Sequence, residues 1–193
     1  MRGPATLLID QVSIKRGGKL LISDLSLTLS GPNLLWVTGG NGIGKTSFLR
    51  TCAGLSQPDT GQVSYSLGND TAFAPEVISF LPADSYAKAG LTAEEDAHFW
   101  HADLSHGEIK AHSRTLTQNL STGQSKRLSF AKLLANEKPI WILDEPLAGL
   151  DESGRKLIAS KLQAHVRNGG LALVASHAPI TVEGIPSQRL ILE

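Results

Sequence analysis

Residues 39–46 read Gly-Gly-Asn-Gly-Ile-Gly-Lys-Thr, and no other feature limits so strongly what this chain can fold into. The spacing is G-x-x-x-x-G-K-[ST], which carries its meaning only between a strand and a helix. Both are expected here. Leu34-Leu35-Trp36-Val37 is a short apolar run of the kind that forms a buried strand, and a helix is predicted from about Lys45 to Ala53, closed by Gly54. Glycines let the backbone curl around an anion, while free N–H groups and the dipole at the helix start favour its negative charge. The candidate site is therefore Gly39, Gly40, Asn41, Gly42, Ile43, Gly44, Lys45, Thr46 and Ser47. Lys45 would reach the β- and γ-phosphates of a nucleotide, and Thr46 would hold Mg²⁺ through its hydroxyl. A chance glycine-rich turn would share the composition but not the flanking strand and helix.

The rest of the chain alternates strand and helix patterns. Leu7–Ile9 and Val12–Ile14 read as strand pieces, Arg16-Gly17-Gly18 as a turn, and Leu20–Leu29 as a half-buried strand. Gln62–Leu67 and Val77–Leu81 are further strands. From about Ala83 to Asn119 the composition shifts to Ala, His, Glu and Ser, which predicts a small helical subdomain. A helix over Ser121–Asn136, an apolar strand Ile140–Leu143, a helix around Ser153–Arg167 and a last core strand Leu171–Ala175 complete the order. This alternation predicts an α/β fold with a mostly parallel sheet flanked by helices and an antiparallel β edge. One domain spans 1–193, with 1–82 and 121–193 as its core and 83–120 as the helical subdomain.

Ile140-Trp141-Ile142-Leu143-Asp144-Glu145 is an apolar strand ending in two acids. Taken alone it is a buried strand with an exposed acidic end. After a phosphate loop, Asp144 becomes a candidate for the Mg²⁺ shell and Glu145 a candidate to polarise a water aimed at the γ-phosphate. Kinases and GTPases share both features, so a third must decide. Leu120-Ser121-Thr122-Gly123-Gln124 opens a helix, and Ser and Gly at a helix start favour an anion. The first loop already covers one face of the phosphates. A second phosphate-binding helix end makes sense if Ser121, Gly123 and Gln124 serve the nucleotide of another subunit.

With these motifs in order, the chain resembles the ATP-binding-cassette (ABC) ATPases over nearly its full length. Lys45 and Thr46 match the Walker A motif, Asp144 and Glu145 the Walker B motif, and Leu120–Gln124 the L-S-x-G-Q signature. Ala148-Gly149-Leu150-Asp151 looks like the D-loop, and His177 like the switch histidine. The resemblance implies ATP and Mg²⁺ as cofactors, with Glu145 and His177 as catalytic residues and Asp151 coupling two sites. It also implies a head-to-tail dimer of two copies with ATP between them, and integral membrane subunits as partners. Within the family the chain is similar to the haem-exporter, or cytochrome c maturation, ATP-binding subunit. That likeness rests on Ser176-His177-Ala178-Pro179-Ile180 and the L-T-A-x-E stretch Leu91–Glu95. The alternatives are a transporter with another cargo and a soluble ABC protein that acts on ribosomes or DNA.

Three positions depart from the family pattern. The Q-loop glutamine falls near Asp84, and a carboxylate offers no amide donor, although it could join the metal shell. The adenine-stacking aromatic falls near Arg16, whose guanidinium can also stack on a base. The segment before the signature, where a membrane partner would dock, is short. His98, His101, His106 and His112 have no compact metal-site spacing, and Trp36 and Trp141 are expected in the core. Glu94-Glu95-Asp96 reads as the acidic first turn of a helix.

Charge and composition restrict the partners. Lys+Arg and Asp+Glu are 18 each, which gives no bulk attraction to nucleic acid, and no nucleic-acid partner is expected. Charge interrupts the first ten residues before an apolar run develops, so no secretory leader is expected, and no apolar stretch is long enough to span a bilayer. The single Cys52 suits a reducing compartment. The expectation is a cytoplasmic protein, peripheral on the membrane's cytoplasmic face.

Overall fold

Five strands pair in parallel in the order β6 (Ile78–Leu81), β7 (Ile140–Asp144), β8 (Leu171–Ala175), β3 (Asn33–Thr38), β9 (Ser187–Ile191). The structure, a computed structural model, describes residues 3–84, 88–177, 184 and 186–193. The central strands are apolar throughout because both faces of the sheet are covered. Ile140 and Ile142 of β7, Leu171 and Leu173 of β8, and Leu35 and Val37 of β3 enter one core. The intervening Trp141, Leu143, Ala172, Val174 and Leu34 enter the other. Helix α1 (Lys45–Cys52) fills the first core with Phe48 and Leu49. Helices α4 (Thr122–Ala135) and α5 (Glu152–Arg167) fill the second with Phe130, Leu133, Ile158, Leu162 and Val166.

A second, antiparallel sheet runs β2 (Lys19–Ser30), β1 (Ala5–Arg16), β4 (Thr60–Leu67), β5 (Asp70–Ala72) and buries Leu7, Ile9, Val12, Ile14, Ile22 and Leu29 in the first core. The two strand pieces expected at its start are one strand. The polar break between them is a bulge: Gln11 has φ 50° and the β1–β4 register shifts between Asp10 and Ser13. Gly17 and Gly18, with φ 56° and 79°, supply the two positive φ angles that a two-residue hairpin turn between β1 and β2 requires.

The strand β5, the short helix α2 (Ala74–Val77) and the strand β9 have no sequence expectation behind them. β9 is polar and mostly exposed, as an edge strand can be, so its sequence lacks the apolar run that marks β7 and β8. Between 83 and 120 the described residues hold one α-helix, α3 (Ala93–Phe99), and 3₁₀ turns at 104–107, 110–112 and 117–119. They enclose a small core of Ala93, Ala97, Leu104, Ile109 and Leu128. Thr92 and Glu95 form a reciprocal cap at the start of α3. Glu94, Glu95 and Asp96 form the acidic first turn of α3 as expected; Asp96 is in addition fully buried, and its Oδ2 accepts from Lys132 Nζ at 2.7 Å, which ties α3 to α4.

Trp141 is in the core as expected, stacked on His165 at 4.1 Å and edge-on to Phe130 at 6.1 Å. Trp36 is only half-buried; its Nε1 donates to the Ser176 carbonyl and the Arg189 guanidinium lies 5.5 Å over its ring. Among the described residues no helix is long and apolar enough to cross a membrane. Because Trp141 fills the space between β7, α4 and α5, Trp141→Ala is expected to cost about 3–5 kcal/mol. The check is a lower urea midpoint with an unchanged slope.

Candidate functional site

The loop between β3 and α1 carries the first part of the site. Gly42 and Gly44 take φ 72° and 118°, backbone that a side chain would strain, and a Cβ on Gly44 would press on Leu21 at 3.0 Å. With the backbone so turned, Gly44 caps α1, and Lys45 folds back to donate to the carbonyls of Gly39 at 2.9 Å and Gly40 at 3.0 Å. Asn41, Gly42, Gly44, Lys45, Thr46 and Ser47 line one cavity of about 530 Å³ with Arg16, Asp144, Glu145 and His177. Ile43 is not on that wall; its partly buried side chain packs against the first core. Arg16 stands on the cavity wall, its Nη1 donating to the Lys15 carbonyl at 2.7 Å.

The acids arrive from the neighbouring strands. Asp144 ends β7, is buried, and its Oδ2 has no hydrogen-bond partner in the described structure. Burial pushes its carboxyl above the usual range; the Thr46 hydroxyl, Lys126 and Lys45 pull the other way, and Asp84 adds to the rise. An orphaned carboxylate oxygen beside a threonine hydroxyl suits a hard divalent cation, which takes oxygen ligands. Glu145 comes next with φ 46°, unusual for a residue with a side chain, and its N–H donates to the Ala175 carbonyl of β8 at 2.9 Å. That kink aims Glu145 into the cavity, where its Oε1 lies 3.4 Å from His177 Nε2. Asp84 stands in the bend after β6, exposed and not on the cavity wall, yet its charge is felt by Asp144 and Lys126.

Ser121, Gly123, Gln124 and Asp151 line a different cavity, of about 440 Å³. Ser121 Oγ accepts from the Gln124 N–H, and Gln124 Oε1 accepts from the Ser121 N–H, a reciprocal cap that fixes the start of α4. Gly123 must lack a side chain because the Gly149 carbonyl would sit 2.8 Å from its Cβ. Asp151 caps α5 by accepting from Gly154 N–H at 2.9 Å and pairs with Arg127 of α4 at 2.8 Å. The Asp144 pair and the Lys45 loop are thus brought together, whereas the Ser121–Gln124 end and Asp151 form a second face sharing no wall residue with the first. Ala178-Pro179-Ile180, part of the haem-exporter likeness, lies outside the described residues.

Two further residues stand beside the site: His112, considered in the sequence only as a metal ligand and set aside, and Lys126, which has no sequence expectation behind it. His112 Nε2 pairs with the Gln124 side-chain amide nitrogen at 3.0 Å. Lys126, two residues past the signature, is buried against the 82–84 turn; its only signal in the sequence is a lysine on a helix face that should be apolar.

A glycine loop between a central parallel strand and a helix, with acids from the adjacent strand, defines a P-loop nucleotide-binding domain. The ABC transporter family model matches residues 22–148, and the chain belongs to that family. It is 37% identical to the cytochrome c biogenesis ATP-binding export protein CcmA of Rhodobacter capsulatus, over 89% of this chain and 80% of that protein. It is 34% identical to the protein of the same name from Rhizobium meliloti, over 95% of this chain and 97% of that one. Its fold superposes with a TM-score of 0.81 on a dimeric bacterial ABC transporter cassette at 20% identity, over 96% and 94% of the two chains. An ATP-binding cassette bound to ADP and Pi matches with a TM-score of 0.79, also at 20% identity, over 97% and 94%. The chain is accordingly an ATP-binding, ATP-hydrolysing subunit of the transporter class.

Lys45 is the loop's only cation, so Lys45→Ala is expected to lose most Mg-ATP binding. Titration with Mg-ATP checks it; unchanged affinity would remove the loop from the nucleotide site.

Proposed function

We propose that this chain hydrolyses Mg-ATP as the motor of a membrane export complex for cytochrome c maturation, with haem as the cargo handled by the membrane subunits. The observation that carries the ATP cycle is the separation of the two half-sites. The Lys45 loop with Asp144, Glu145 and His177 forms one, and the Ser121–Gln124 end with Asp151 forms the other. One copy cannot close both around a single nucleotide. Two copies in head-to-tail symmetry can, each loop meeting the partner's helix end. The dimeric state of the similar solved cassettes supports this reading. The export name of the curated relatives supports the process, and their match along most of the chain supports 1–193 as one working unit.

In this arrangement Lys45 exchanges its two loop carbonyls for the β- and γ-phosphates. Thr46, Asp144 and, through water, Asp84 would hold Mg²⁺, whose positive charge offsets that of the phosphates. Glu145 orients and activates the attacking water, and His177 contacts the γ-phosphate and keeps the Glu145 carboxylate in place. Arg16 stacks on the base. Ser121, Gly123 and Gln124 close on the γ-phosphate bound by the partner copy, and Asp151 links the two sites. The chain sits peripherally on the cytoplasmic face of the membrane. The membrane subunits dock on the apolar groove of about 420 Å³ bordered by Leu55, Phe80, Trp100 and Leu133.

Glu145→Gln is expected to keep ATP binding and slow turnover by about two to four orders of magnitude, the scale for losing a general base. Size-exclusion chromatography with ATP should then show a trapped dimer; wild-type turnover would make Glu145 a structural acid. The process is tested in cells. Deleting the chain should remove haem-stained c-type cytochromes while b-type cytochromes persist, and wild type but not Lys45→Ala should restore them. Normal c-type cytochromes in the deletion strain would point to another cargo.

A further inference from the structure

Lys126 lies two residues past Gln124 on α4, yet it is only 1% exposed. A lysine on a helix ordinarily runs its stem along the surface and leaves its ammonium in water. Here the ammonium turns inward and donates to the carbonyls of Ala83 at 2.5 Å and Pro82 at 3.4 Å. Those carbonyls are dipoles without net charge, and alone they do not offset a buried cation. Burial holds the ammonium's pKa below the usual lysine value, and the fields of Asp144, Asp84 and Glu145 oppose that pull in part.

The acids have the converse problem. Asp144 is itself buried, and the charge of Asp84 raises its pKa further, while Lys126 and Lys45 lower it. Lys126 is a cation of this region that lies outside the Lys45 loop.

We propose that Lys126 is a positioning residue of the ATP site: it offsets the carboxylate of Asp84 and, through the carbonyls of Pro82 and Ala83, ties the turn after β6 to the start of the signature helix α4. The assignment rests on the ATPase reading of the site. It has a mechanical consequence. Phe80, Leu81 and Pro82 border the groove assigned to the membrane subunits, so a push on the 82–84 turn reaches the Ser121–Gln124 end through this side chain. Lys126 touches no reacting atom; it acts through the turn and through the charge of Asp84.

The test is a double-mutant cycle on the full chain, with Mg-ATP affinity, turnover and thermal midpoint measured for every variant. Lys126→Met keeps the stem and removes the charge. It is expected to lower turnover at least tenfold while Mg-ATP affinity changes less than threefold, because the Lys45 loop is untouched. Adding Asp84→Gln should restore most of the lost turnover, and Lys126→Arg should retain it. Wild-type turnover in Lys126→Met overturns the assignment. So does a loss that Asp84→Gln does not recover and that tracks a fallen thermal midpoint, since a merely structural lysine would behave that way. Should Lys126→Met not fold, Asp84→Lys, with Lys126 native, sets two cations together; it should lower turnover at least tenfold at constant affinity, and unchanged turnover overturns the proposal. Failure of the ATPase reading gives a separate signal, the absence of Mg-ATP binding by the wild type alongside Lys45→Ala.

Discussion

Everything in the site depends on one row of backbone pairing across the parallel sheet. Asp144 of β7 stands opposite Ala175 of β8, Ala175 opposite Val37 of β3, and Val37 opposite Leu190 of β9. The strands therefore finish level, and the segments that leave them emerge side by side. After β3 comes the glycine loop, after β7 Glu145, and after β8 His177. Parallel pairing requires every crossover to return over a face of the sheet, so α1, α4 and α5 pack both sides and leave the carboxyl edge open. A register slip of one residue would turn Trp141 and Leu143 toward the first core and carry Asp144 off the row.

That edge concentrates charge that the interior can hold only if it is matched. Asp144 is buried with an unpartnered oxygen, Glu145 sits in strained backbone, and Lys45 rests on two loop carbonyls. A buried unpartnered oxygen and a positive φ on a residue with a side chain are costs the fold carries at this edge, and such costs cluster at ligand sites. The second half-site is built differently. Ser121 and Gln124 satisfy each other's backbone groups, Gly123 touches Gly149, and Arg127 clamps Asp151 and Glu108. It is a self-supported surface, suited to meet an anion already bound elsewhere. In the proposed head-to-tail pair, the glycine loop of one copy would meet this preformed end of the other.

The parts legible in the sequence are those whose chemistry forces particular residues into consecutive positions. A phosphate loop must be Gly-rich, a buried parallel strand must be apolar, and a reciprocal helix cap sets Ser or Thr three residues before Glu or Gln. Hence β3, β7, β8, the loop, Asp144, Glu145 and the Ser121 cap could be read directly. The illegible parts depend on neighbours distant in sequence. β9 is a strand because β3 offers it an edge, not because Ser-Gln-Arg-Leu-Ile demands it. The Asp10–Gln11 break looks like a strand end but is a bulge, since Gly61 lets the partner strand approach. Asp96 and Lys126 look like surface charges on helices, and only the packing of α4 against α3 and β6 shows them to be buried.

These two buried charges also indicate how the region 83–120 works with so little regular structure. Its small core of Ala93, Ala97, Leu104, Ile109 and Leu128 is too thin to fix orientation by apolar burial alone. Charged contacts from α4 supply the direction instead. Lys132 holds α3 through Asp96, Arg127 holds the 3₁₀ segment through Glu108, and Lys126 holds the turn after β6. Spaced along one helix, the three cations make α4 the strut to which the turn after β6, the 3₁₀ segment and α3 are attached. A charged hydrogen bond adds a preferred donor–acceptor direction to the close packing around it. A helix held by such contacts is fitted to carry a displacement from one of these segments to another, as the coupling proposed for Lys126 requires.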